Sequence, residues 1–168
     1  GATMRFQAPE SLSEQIAQHL GQQIINGTLE SGDRVQELKV AGELDVSRGS
    51  VREALLILER RHLIQIYPRK GAVVSVLTPE QVNNLYDIYI HLLLMRAHKV
   101  IDHGSPENLK PLVNGINALR RRIGASDTSI QEITDRGFDI VRLCYPIANN
   151  PYLEETLDNL RPALSRTY

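Results

Sequence analysis

The sequence predicts a mainly α chain in two parts: three helices closed by a β-hairpin, then an antiparallel helical bundle. Two observations carry this. Apolar residues recur at helical spacing over most of the chain, and the period drops to two between residues 63 and 76. There the β-branched runs LIQIY and AVVSV flank Pro68-Arg69-Lys70-Gly71, which reads as a hairpin with a basic tip.

The elements follow in order. In LSEQIAQHLGQQIIN, residues 12–26, Leu12, Ile16, Leu20 and Ile24 repeat every four residues, and Gly27 is a natural stop. Gly32 in TLESGDRV suits a turn with positive φ. QELKVAGEL, 36–44, predicts a short helix with Leu38, Ala41 and Leu44 inward. Asp45-Val46 leads to Ser47, an N-cap residue for a third helix that buries Val51, Leu55 and Leu58 and projects Arg48 and Arg52 elsewhere.

With 168 residues, 42% of them hydrophobic and 23% charged, the composition is that of a globular chain of one domain or two small ones. The sequence shows no apolar run near the roughly 18 residues of a membrane span and no signal-peptide pattern. One cysteine, Cys144, excludes an internal disulfide and a multi-cysteine zinc site, and the expected setting is cytoplasmic. The formal net charge of −1 hides a polarity along the chain. Residues 10–46 hold seven acids against Arg34 and Lys39. Residues 47–71 hold Arg48, Arg52, Arg60, Arg61, Arg69 and Lys70 against Glu53 and Glu59.

Three helices, the last two joined by a tight turn, and a hairpin make a winged helix-turn-helix, whose third helix enters the major groove of DNA. Ser47 would cap that helix and present Arg48, Ser50 and Arg52 to bases and phosphates. Arginine can pair two parallel donors with guanine O6 and N7, and it can equally neutralise a phosphate. Free amides at the helix start attract phosphate as well. Arg69 and Lys70 on the wing tip suit phosphate or minor-groove contact, with Gly71 allowing close approach, and Arg34 is a phosphate clamp candidate.

The stretch GDRVQELKVAGELDVSRGSVREALLILERRHLIQIYPRKGAVV closely resembles the DNA-binding domain of GntR-family bacterial transcriptional regulators. The resemblance covers about residues 10–76. It implies that Arg34, Arg48, Ser50, Arg52 and Gly71 stand where family members contact operator DNA, with Lys70 at a wing position that is commonly basic or histidine. The chain departs from the pattern in three places: Gly49-Ser50 for a frequent Thr-Pro, Arg61-His62 for Glu-Gly, and Asp45 for Gly.

Residues 77–168 read as helices throughout. Thr78-Pro79-Glu80-Gln81 opens a long one. Ser105-Pro106-Glu107 opens another, with Leu109, Leu112, Ile116 and Leu119 inward. Asp127 begins a third and Asn150-Pro151 a fourth. PEQVNNLYDIY and DRGFDIVRLCYPIANNPYL resemble the all-helical ligand-sensing domain of the FadR-like branch, relative to which the domain is incomplete. The resemblance implies a divalent metal on an Asp and a His four residues later. Here Asp135 matches the Asp and Asp139 replaces the His, and Tyr89 stands where a frequent arginine would be.

Other side chains fit plainer roles. His91, Met95, His98 and Asp102 share one helix face, better suited to solvent or a dimer partner than to metal. Arg120-Arg121-Arg122 complements a helix C-terminus, and Cys144 reads as a packed thiol.

The expected domains are therefore 8–76, a winged helix-turn-helix, and 77–168, a helical effector-sensing and dimerisation domain. The expected function is that of a sequence-specific transcriptional regulator, more a repressor than an activator. Its partners would be a pseudo-palindromic double-stranded operator, a second copy of the chain and a small effector of the organic-acid class. One rival is a DNA-binding module with a non-sensing bundle. Another is a metal-dependent hydrolase built on Asp135, Asp139, His91 or His98.

Overall fold

The structure, a computed structural model, describes residues 11–166, so residues 8–10 of the expected first domain lie outside the described residues. The chain forms two compact units. One takes the chain up to Tyr86 and from Asp158 onward, the other Asp87–Leu157. The sequence pattern turns from strand to helix at residues 76–77, whereas these units divide within the helix that follows the wing and within the last helix.

In the first unit α1 spans Leu12–Ile25, and its N-cap Ser11 accepts a hydrogen bond from the Glu14 amide at 3.1 Å. The chain then turns through Gly32 at φ +87° into β1, Arg34–Val35. Next come α2, Glu37–Leu44, and α3, Arg48–Arg60. Strands β2, Ile64–Tyr67, and β3, Gly71–Val74, form the expected hairpin, in register from Ile64 opposite Val74 to Tyr67 opposite Gly71. The sheet order is β1-β3-β2, all antiparallel, with Arg34 opposite Val73. A two-residue strand shows no alternation, so β1 leaves no periodic trace in the sequence.

One core holds this unit together. Ile16, Ala17, Leu20 and Ile24 of α1 pack with Val51, Ala54, Leu55 and Leu58 of α3 and with Leu63, Ile64, Ala72 and Val74 of the hairpin. One expectation needs correction: Leu38 is 68% exposed. In α2 the inward stripe is Val40, Ala41 and Leu44, because its second turn, not its first, faces the core.

The helices beyond the wing are α4, Pro79–His103; α5, Pro106–Ile123; α6, Ile130–Ala148; and α7, Pro151–Leu164. Their starts are chemically defined. The Thr78 hydroxyl accepts from the Gln81 amide while the Gln81 side chain accepts from the Thr78 amide. Ser105 and Asn108 make the same reciprocal pair. The Asn150 side chain accepts from the Leu153 amide. The third start is corrected: Ser129, not Asp127, caps α6 by accepting from the Glu132 amide, and Asp127 instead lies 3.4 Å from Arg122.

In the second unit Val100, Leu112, Ile147 and Ala148 form a small core with Leu109, Ile140 and Cys144 against it. Ile116 is not inward. Helices α5 and α6 approach through Gly115, where an added Cβ would lie 3.4 Å from Ile140, and this turns Ile116 outward. A glycine carries no hydrophobic signal, so periodicity misplaced the stripe by one residue. Arg122 joins α5 to α6 through both oxygens of Glu132 at 2.8 and 3.0 Å. The pair raises the Arg122 pKa and lowers that of Glu132.

Candidate nucleic-acid interface

Helix α3 begins at a residue that cannot continue the preceding turn as helix. Ser47 has extended backbone, φ −71° and ψ 150°, and its hydroxyl accepts from the Ser50 amide at 3.0 Å. The Ser50 hydroxyl lies 2.8 Å from the same oxygen, so both serines belong to the cap. The cap leaves the Arg48 and Gly49 amides at the helix start, where a phosphate oxygen is favoured.

The wing rises beside this terminus. At its tip Arg69 has φ +69°, a strained conformation for a side-chain-bearing residue, and Gly71 follows at φ +80°. Nothing lies within 4 Å of a Cβ built on Gly71, so it is the backbone angle that requires glycine there. Arg34 reaches across from β1 and donates to the Lys70 carbonyl at 2.8 Å, which ties the tip to the sheet. Arg34, Arg48, Arg69, Lys70 and Gly71 line one open groove of about 330 Å³ together with Glu37 and Leu38. Five of the sequence-predicted residues thus converge on one surface, and the N-cap Ser47 stands beside it with Ser50 and Arg52 of the first two turns of α3.

The feature missing from the sequence reading is Glu37. It is the first residue of α2, and its carboxylate accepts from Arg48 Nε at 2.9 Å and from Arg52 Nε and Nη2 at 3.3 and 3.2 Å. Arg52, then Arg48, hold the Glu37 carboxyl below the usual carboxylate range, and the Arg52 pKa is raised in turn. An acid in the first turn of a helix is already explained by the helix dipole. Only the crossing of α2 and α3 reveals its second partner.

The basic segment is also less available than its sequence indicates. Arg61 donates to Glu14 on α1 at 2.7 Å, with both side chains about three-quarters buried. Glu59 accepts from the Ile66 amide of β2. These residues bind the unit together, and Arg69 and Lys70 remain exposed on the tip.

The metal candidates lie elsewhere. Asp135 accepts from Gln131, and Asp139 pairs with Arg142 at 2.9 Å, all on the exposed face of α6. No group of three or more His, Cys, Asp or Glu side chains converges among the described residues. Two carboxylates alone offer a cation surface oxygens without a cage. His91 bonds the Asp87 carbonyl within its own helix, and burial raises the Cys144 pKa. No helix among the described residues is long and apolar enough to cross a membrane.

A capped third helix, a basic wing and a groove between them define a DNA-binding domain by geometry, and the sequence of that domain names its kind. Residues 12–74 match the family described as bacterial regulatory proteins, gntR family. These residues form a GntR-family helix-turn-helix domain. The gluconate operon transcriptional repressor of Bacillus licheniformis is 41% identical over 157 residues, which cover 92% of this chain and 62% of that protein. An HTH-type transcriptional regulator of Bacillus subtilis, YdhC, is 28% identical over 87% of this chain and 65% of its own length. The chain thus spans a little under two thirds of the length of these curated relatives. Among solved structures, Escherichia coli McbR/YncC superposes with a TM-score of 0.61 at 24% identity, over 94% of this chain and 75% of that one. A transcriptional regulator GntR from Rhodococcus sp. RHA1 gives 0.58 at 24% identity, over 91% and 72%. At that identity the superpositions show the fold: a winged helix-turn-helix followed by a helical domain.

Proposed function

We propose that the chain is a cytoplasmic, sequence-specific transcriptional regulator that binds operator DNA through the groove between α3 and the wing. The single observation behind this is the convergence of Arg34, Arg48, Arg69 and Lys70 on one groove beside a capped recognition helix. The helix enters the major groove, Arg48 and Arg52 reach base edges and phosphates, and the wing tip holds the flanking backbone. Leu38, exposed in the same groove, suits a thymine methyl.

On this reading residues 8–76 are the DNA-binding domain and 77–168 the effector-sensing and dimerisation domain. Two copies place their α3 helices in successive major grooves of a pseudo-palindromic site. An organic acid bound by the helical domain shifts operator affinity. The name of the Bacillus licheniformis relative supports repression as the sign of regulation and makes gluconate the first acid to test. A weakly held divalent cation at Asp135 and Asp139 belongs to the same proposal, and isothermal titration with Mn²⁺ tests it.

Selection of bound sequences from a random duplex pool at two salt concentrations tests the reading. Recovery of a two-fold symmetric site that survives the higher salt supports it. Recovery of unrelated sequences that all dissociate as salt rises would reduce the interface to phosphate contacts.

A further inference from the structure

The recognition helix carries two arginines that the structure does not leave to DNA alone, and the residue that holds them is the inference drawn here. We propose that Glu37 is a specificity-determining residue: it holds Arg48 and Arg52 as one oriented pair, so that they read bases in preference to gripping phosphate. The proposal rests on the DNA-binding reading above.

The geometry is specific. Arg52 gives Glu37 its side edge, Nε with Nη2, and Arg48 gives its Nε. The end edge of each guanidinium, the paired Nη1 and Nη2 donors, is then turned away from the carboxylate. That end edge is the fork that matches guanine O6 and N7. A phosphate accepts from either edge at many angles, so an unheld arginine grips any duplex. Occupying the side edges removes many of those grips and keeps the base-reading fork.

Charge acts in the same direction. Two arginines and one carboxylate bring a net of one positive charge to the duplex, and the carboxylate stands close to wherever a phosphate would meet either arginine. Binding that depends on phosphates alone is therefore weakened more than binding that includes base contacts. The cluster is also exchangeable, since the arginine side chains are 58% and 59% exposed and that of Glu37 is 25% exposed. A pair buried for stability would have closed these guanidiniums off. Here they meet solvent on the surface that carries the groove.

The test compares the full chain with Glu37→Gln on two duplexes, the selected site and a random sequence, across a salt series. Glutamine keeps the size and helix preference of glutamate but not its charge. The expected result is about three- to tenfold tighter binding to random DNA, a salt slope steeper by about one, and a matching fall in discrimination. Unchanged or improved discrimination overturns the proposal. Arg52→Lys supplies a second measurement, because it keeps the charge and loses the fork. It should reduce discrimination at an unchanged salt slope, and wild-type discrimination in that variant equally overturns the proposal. A wild-type chain that retains neither duplex at low salt refutes the DNA-binding reading itself, and this inference with it.

Discussion

The two units bury their apolar residues very differently. The head places fourteen buried apolar residues in one continuous core drawn from three helices and all three strands. The second unit, made of helices alone, gathers four in its core cluster, with Leu153 and Leu157 of α7 buried besides. Meanwhile Ile88, Leu94, Ile101, Val113, Ile130 and Phe138 stay 45% or more exposed. A sheet packed on a helix pair encloses side chains from two sides, whereas helices laid side by side leave each outer face open. The head is therefore stabilised from within. The helical unit has apolar surface beyond what its own packing uses.

The sharpest way to break that contrast is to cut each core once. Leu55→Ala, at a position 2% exposed between α1 and the hairpin, should cost about 3–5 kcal/mol in urea unfolding. Leu112→Ala, at the edge of the small core, should cost about 2 kcal/mol or less. Equal losses would mean that the second unit is as tightly packed as the first.

A second prediction moves from core to surface. Arg52→Ala should weaken binding to the selected operator by about 1–3 kcal/mol and binding to random DNA by less, as measured by fluorescence anisotropy. Equal loss on both would remove base reading from Arg52. Ser47→Ala should cost about 1 kcal/mol of stability through the lost cap, read from the unfolding midpoint. His62→Gly should stabilise the head by about 0.5–1 kcal/mol, because His62 sits at φ +60° after α3, where a Cβ is strained.

The smallest expected effect follows from the Glu37 cluster. The folded-state pKa of Glu37 lies below its unfolded value, so its contribution to stability is complete above the unfolded pKa. It is lost as pH falls through the lowered folded value. Wild type and Glu37→Gln should therefore differ at neutral pH and converge in acid. A difference that persists in acid would show that the carboxylate's charge is not what the arginines hold.

The head was legible in detail because its signals are local. Ser47 announces a cap, Gly71 a backbone angle, and the change of period after His62 a hairpin. The three departures from the family pattern also become physical here. His62 and Asp45 both occupy positive φ, at +60° and +52°, which is where a glycine would be at ease. Ser50, in place of proline, supplies an amide to the Ser47 cap. The helical half was legible as helices but not as packing. A stripe running through Gly115 has no apolar marker, and the start expected at Asp127 lies two residues before Ser129, which caps α6.

By itself, then, the amino-acid sequence determined which segments are helix and which form the hairpin, where α1, α3, α4, α5 and α7 begin, and the family that the DNA-binding domain resembles. These follow from side-chain chemistry within a few residues along the chain. Only the tertiary structure decided that β1 joins the wing, that Val40 rather than Leu38 is buried, and that Arg61 is engaged by Glu14. It alone showed Glu37 holding Arg48 and Arg52. Each of these pairs is set by how elements cross, and the partners stand eleven to forty-seven residues apart in sequence. Spacing along a chain says nothing about contacts made at that distance.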